Sequence, residues 1–220
     1  MASRTFWWFT ASTLIGCTLF ILFIDQPVAW FIYRNLEGLS PLFAAVTLLA
    51  EQAYAAVIEP QVLGLPILIT GLLGSFLLVR ILLKRAWGTV FLMVLLVHLS
   101  SQIGANILKV TVHRLRPEVL FEQGYSGWGF WQAGPNNDSF PSGHVAGFFS
   151  LFWPFVVAFP RYRFPLVALP ILIGIGRLIP GYHYVSDVWF SAWMVIAFTE
   201  LFYGLGLILK KRKVKFWAKS

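Results

Sequence analysis

Three short segments of this chain hold residue types that can bind a phosphate and act on it. The first is Lys109-Val-Thr-Val-His113-Arg114-Leu-Arg116-Pro117. Lys109 and Arg116 are seven residues apart, two helical turns, so the spacing predicts both on one face before Pro117 breaks the helix. The second is Ser139-Phe140-Pro141-Ser142-Gly143-His144, opening an apolar run. Ser142 and Gly143 there offer a hydroxyl and free backbone N–H groups at a helix N-terminus, where the macrodipole favours an anion; His144 falls in the first turn. The third runs from Arg177 to His183 and Asp187. His183 and Asp187 are four apart, so a helix beginning near His183 lets the carboxylate hold one imidazole N–H and leaves the other nitrogen free to attack. Singly, each segment has an ordinary reading: snorkelling cations, a serine cap, a satisfied buried pair. Together they supply three fixed cations, an anion-binding helix end, two histidines and one orienting acid. Lys109, Arg116 and Arg177 would position and neutralise a phosphate without a metal. The sequence carries no Walker loop, no DxD-type pair and no histidine-rich ligand spacing, so neither metal nor other cofactor is expected.

These residues need a frame, and composition dictates which kind. Apolar residues make up 58% of the 220 and charged residues 12%, against about 45–50% and about 25% in soluble domains. Mean hydropathy is +0.74, which excludes soluble and disordered classes. The lone cysteine, Cys17, forms no internal disulfide, and Phe23 stands where a cysteine-type phosphatase loop needs arginine. The expected fold is all-α: a single domain over 1–220, a polytopic membrane protein of six transmembrane helices. The uncharged or nearly uncharged runs are Thr5–Ile24, Gln61–Val79, Ala86–Leu108, Phe140–Pro160, Phe164–Gly176 and Val188–Leu209. The stretch Leu39–Ile58 stops being apolar at Glu51 and is expected as an interfacial helix between the first and second spans, with a seventh span as the alternative. The Leu14-Ile15-Gly16-Cys17 run resembles a lipoprotein cleavage box, but Thr18–Ile24 continue the apolar stretch, so a retained anchor is expected.

Charge sets the orientation. Twelve of the seventeen Lys and Arg fall on one face of a six-span layout, including the tail Lys210–Lys215. The positive-inside rule therefore places both termini in the cytoplasm and the three chemical segments at the outer face. The basic tail reads as an anchor for anionic headgroups, with no nucleic-acid partner implied. Positive charge is disfavoured on the outer side, so the cations clustered there point to function. His98, mid-span beside Ser100, Ser101 and Gln102, is expected to hydrogen-bond between helices; His113 and Arg114 fall outside the Lys109/Arg116 pattern.

The three segments, in this order and with these internal spacings, resemble the signature of the type 2 phosphatidic acid phosphatase (PAP2) superfamily. That family holds membrane lipid phosphatases alongside soluble acid phosphatases and vanadium haloperoxidases. One departure is Gly176, where the family often has serine before the third arginine. The resemblance implies that His183 is the nucleophile and forms a phosphohistidine, that Asp187 orients it, and that His144 protonates the leaving group and then activates water. It implies that Lys109, Arg116, Ser142, the Gly143 N–H and Arg177 hold the phosphate oxygens.

With a multi-span body, the expected substrate is a lipid phosphate from the outer leaflet: phosphatidylglycerophosphate, phosphatidate, undecaprenyl diphosphate or lipid A. The aromatic-rich segment Glu118–Phe140 is expected as a lid or interfacial loop at the site's mouth. The implied location is a bacterial cytoplasmic (inner) membrane with the site facing the periplasm or exterior, and oligomeric state stays open. A phosphotransferase using the same phosphohistidine is the nearest alternative. A non-catalytic anion transporter or lipid-binding protein is the distant one.

Overall fold

The computed structural model describes residues 4–62, 64–125 and 127–217. Helix runs almost unbroken from Arg4 to Ile58: α1 (Arg4–Leu19), a π-helical turn (Phe20–Ile24), α2 (Asp25–Leu36), a 3-10 turn (Glu37–Leu39) and α3 (Ser40–Ile58). Widened π turns in helices often mark functional positions; this one ends at Asp25, which is 1% exposed. A minimal antiparallel pair follows, β1 (Gln61–Val62) with β2 (Leu65–Pro66), turning through Gly64 at φ +76°. Then come α4 (Ile67–Phe76) with a π turn (Leu77–Leu82), α5 (Thr89–Val112), α6 (Pro117–Gln123), α7 (Gly143–Ala158), α8 (Arg163–Leu178) and α9 (Val185–Trp217).

The core lies where α5, α7 and α9 meet. Val97, Val145, Phe149 and Val195 form one buried layer. Nearer the site, Ala105, Ala146 and Met194 form another. Lipid-embedded helices associate through close packing at small residues, and here a Cβ on Gly104 would lie 3.3 Å from Met194 Sδ and one on Gly174 3.2 Å from Val188 Cγ1. Around this centre, α8 packs on α7 and α3, α4 on α5, and α1 on α9.

The outside is as apolar as the inside. Trp7, Trp8, Phe23, Leu49, Leu82 and Phe164 are between 63% and 74% exposed, a surface that suits lipid tails and would aggregate in water. Phe6–Ile58, Ala86–Gln123 and Val185–Leu207 are long and apolar enough to cross a membrane, and Ile67–Leu82 and Gly143–Ala158 are shorter apolar helices. The molecule is an all-helical, multi-pass membrane protein. Cys17 lies buried inside α1, its Sγ 3.8 Å from the Ser186 carbonyl.

One element differs from the sequence-based expectation: α5 ends at Val112, not at Pro117. His113 adopts the left-handed conformation (φ +46°) and caps the helix with its N–H on the Lys109 carbonyl. Arg116 is extended, and Pro117 opens α6 instead of closing α5, a position proline favours. Lys109 and Arg116 therefore do not share a helical face. The Leu39–Ile58 stretch is helical from Ser40 onward as α3, which packs against α8 and α4 and carries Glu51 into the site.

Candidate active site

The last turns of α5 and α8, the first turn of α7, the middle of α3, the turn before α9 and the loop after α6 converge on one polar region. Lys109 projects from the last turn of α5 and donates from Nζ to the Asp138 carbonyl (2.9 Å) and to Asp138 Oδ2 (3.2 Å). Arg116, from the extended link, grips the same carboxylate with Nε on Oδ1 (2.8 Å) and Nη2 on Oδ2 (3.1 Å). The loop acid thus joins two cations that the helix does not align. Burial alone would raise the Asp138 pKa, but the hydrogen bond from Arg116 and the charges of Lys109 and Arg116 bring it down to about 2.

Ser142 is the N-cap of α7, with extended backbone and its Oγ accepting weakly from the Val145 N–H at 3.5 Å. Gly143 lies under the Lys109 side chain, where an added Cβ would come 3.6 Å from Lys109 Cε. The next residue, His144, directs Nε2 at Glu51 Oε1 (2.9 Å). Arg177 Nη1 donates to the same Glu51 oxygen at 2.8 Å, while its guanidinium lies 4.3 Å from the centre of the Tyr182 ring. Arg177 Nε is buried without a partner among the described residues.

His183 sits in the turn before α9, fully enclosed at 2% exposure. Its Nδ1 is 2.7 Å from the Ser139 carbonyl oxygen and 3.7 Å from Asp187 Oδ2. A carbonyl only accepts, so Nδ1 carries the proton and Nε2 of the neutral ring keeps its lone pair. Burial pushes the His183 pKa down, with Lys109 and Arg177 adding to that effect while Asp187 pulls upward. The direct support of the ring is therefore the Ser139 carbonyl. Asp187 acts one bond further back: its Oδ2 accepts from Ser139 Oγ (2.6 Å) and from the Tyr184 N–H (2.8 Å), holding the chain on both sides of His183.

Arg114 is where the sequence reading fails most. Taken as an outer cation outside the pattern, it is 1% exposed. Nη1 donates to Asp187 Oδ1 and to Ser186 Oγ (2.7 Å), and Nη2 donates to Asp25 Oδ2 (2.8 Å). Its guanidinium lies between the rings of Phe130 and Tyr184, 4.6 Å and 4.2 Å from their centres. Asp25 also accepts from the Ser186 backbone N–H (3.0 Å).

All eight residues expected at the site occur in this region, with Ser142 and Gly143 as the helix cap. Sequence reasoning missed Glu51, Asp138, Ser139 and the Asp25–Arg114 pair. A signal existed for Glu51 and Asp25, since each is an acid interrupting an apolar run, but Glu51 reads in sequence only as the point where that run stops. Asp138 and the Ser139 carbonyl lie in a loop whose path no periodicity reveals. His98 does link helices: its Nε2 meets Tyr54 OH on α3 (2.9 Å) and its Nδ1 meets Ser150 Oγ on α7 (2.8 Å). Gly176 also has an explanation. A Cβ there would fall 2.6 Å from Thr47 Oγ1, so the approach of α3 to α8 excludes a serine at this position.

Cations, a helix cap and two histidines thus meet at one end of an apolar helical bundle. Residues 88–207 match the PAP2 superfamily, and the chain belongs to that superfamily. It is 34% identical over 110 residues to a lipid A 1-phosphatase of Rhizobium johnstonii, covering 48% of this chain and 45% of that protein. It is 33% identical over 110 residues to a lipid A 1-phosphatase of Rhizobium etli, covering 48% of this chain and 47% of that one. The matched region spans about half the length of these curated relatives. Among solved structures, a transmembrane PAP2 type phosphatidylglycerolphosphate phosphatase from Bacillus subtilis aligns over 87% of this chain and 94% of its own, at 23% identity and a TM-score of 0.40.

Proposed function

We propose that this protein is an integral-membrane lipid phosphate phosphatase that hydrolyses a phosphomonoester or diphosphate of a membrane lipid through a phosphohistidine on His183. The observation that carries this reading is the 2.7 Å contact of His183 Nδ1 with the Ser139 carbonyl, which sets the tautomer of the ring. Its Nδ1–H is committed to the Ser139 carbonyl, so the free electron pair belongs to Nε2. Family membership and the two lipid A 1-phosphatase relatives add independent support.

In the proposed reaction, Arg177, Lys109, Arg116 and the Ser142–Gly143 cap take the phosphate oxygens, exchanging their present carboxylate partners for the substrate. Nε2 of His183 forms a bond to phosphorus as the phosphorus–oxygen bond to the lipid breaks, and His144 gives its proton to the departing oxygen. Water then attacks phosphorus, returning a proton to His144, while the phosphorus–nitrogen bond breaks and phosphate leaves. Charge developing on the five-coordinate phosphorus falls among the three fixed cations, a role that asks nothing of a divalent ion. The spans would be α1, α4, α5, α7, α8 and α9, with α3 lying at the site's edge. Both termini would lie in the cytoplasm of a bacterial inner membrane and the site at the outer face.

The test is phosphate release by the purified protein from a panel of lipid phosphates, with and without EDTA. Release that persists in EDTA and is blocked by vanadate, which can mimic five-coordinate phosphorus, is the expected result. Loss of activity on chelation would sink the metal-free mechanism.

A further inference from the structure

Four polar side chains line one stripe of the otherwise apolar α5: His98, Gln102, Asn106 and Lys109, spaced four, four and three residues apart. That spacing puts them on a single face. The outer part of the stripe borders a cavity of about 320 Å³ enclosed by α3, α5 and α7, with Glu51, Tyr54, Gln102, Asn106, Lys109 and His144 in its walls. The volume falls at the low end of small-molecule sites, about 300–1,000 Å³. The cavity opens beside His144, the group that would face the leaving oxygen.

The wall is polar in a specific way. Asn106 has no hydrogen-bond partner among the described residues and is exposed. Gln102 spends its amide N–H on Tyr54 OH (3.1 Å), leaving its carbonyl free to accept. On the opposite wall Gly147 lies against this amide, where an added Cβ would come 2.8 Å from Gln102 Nε2 and push it aside. Polar groups inside a membrane span carry a cost that an apolar ligand does not offset. A leaving group made of hydrocarbon alone would strip water from Asn106 and Gln102 and give nothing back. A second phosphate would meet the Glu51 carboxylate with Lys109, the one fixed cation in this wall, already committed to the first. Hydroxyl and amide groups would instead satisfy the wall.

We infer that this cavity is a headgroup subsite for a lipid whose phosphate is attached to a hydroxyl- or amide-bearing group such as a sugar or polyol, with Asn106 and Gln102 as its specificity-determining residues. The inference rests on the phosphatase reading above and narrows its substrate class. Two of its walls, Glu51 and Tyr54, lie outside the region matched by the family.

The experiment compares kcat/KM for phosphate release from four detergent-dispersed substrates: a lipid-linked glucosamine phosphate, phosphatidylglycerophosphate, phosphatidate and a polyprenyl diphosphate. Wild-type protein is expected to favour one or both of the first two by about tenfold over the last two. Asn106→Leu and Gln102→Leu are expected to cost the favoured headgroup substrate about five- to tenfold, with at least a threefold smaller loss on phosphatidate. Asn106→Ser, which keeps a hydrogen-bonding group at this position, is expected to recover part of the loss, and it guards against a folding defect in the leucine variants. A wild-type preference for phosphatidate or polyprenyl diphosphate, or equal losses on all substrates, overturns the subsite. Silence on all four, with binding of vanadate also absent, overturns the phosphatase reading itself.

Discussion

Two clusters of charge lie close together at one end of this bundle, and they are built on opposite principles. In the Asp25–Arg114–Asp187 cluster every side chain is at most 1% exposed, and each carboxylate is also held by serine or backbone donors. In the Lys109–Arg116–Asp138 and Arg177–His144–Glu51 cluster the carboxylates are 43% and 34% exposed. A closed ionic network holds geometry, because separating it strands a charge away from water. An open one can exchange its anion. Asp138 and Glu51 occupy the very cations proposed to take phosphate, so two of the three fixed charges are already offset and a phosphate would enter by replacement.

His183 stands between the two clusters, and its loss is the largest expected effect on activity. His183→Ala should leave no measurable turnover or covalent phosphate, while membrane insertion and thermal unfolding stay near wild type. Retained near-normal turnover would move the nucleophile elsewhere.

The closed cluster should fail through the fold. Arg114→Ala strands Asp25 and Asp187 without their cation, a change of the kind that costs about 3–5 kcal/mol. Thermal unfolding in detergent should show it directly, and activity should disappear with the folded protein. A variant as stable as wild type would mean that the cluster holds nothing together.

The open cluster should fail through rate alone. Arg177→Ala should lower kcat/KM about ten- to hundredfold, the worth of one charge-assisted contact of roughly 1.5–3 kcal/mol, with little change in unfolding. If Arg177→Ala instead unfolded the protein as Arg114→Ala does, the distinction between the clusters would collapse.

The smallest effect sharpens the comparison most. Asp138→Asn and Glu51→Gln each remove an anion that competes with phosphate. Either should tighten inhibition by vanadate about three- to tenfold, consistent with the loss of one partly exposed competitor. Weaker inhibition in both would show that these acids help to hold the ligand and do not compete with it.

Composition and order determined a good deal here without any structure. An apolar content this high admits only a lipid-facing bundle, and the Ser142 cap is a local feature that a helix realises wherever it forms. Those readings needed contacts only a few residues long. What tertiary structure alone decided are the partners that lie far apart in the chain. Arg114 looks like a surface cation until α2 brings Asp25 to it across 89 residues. Glu51 looks like the end of an apolar run until α3 sets it against Arg177, 126 residues away. Lys109 and Arg116 reach one carboxylate because a left-handed His113 and the returning loop bring Asp138 between them. Side-chain chemistry is written residue by residue, but the anion that meets each cation is chosen by packing, and packing is the part that no local spacing encodes.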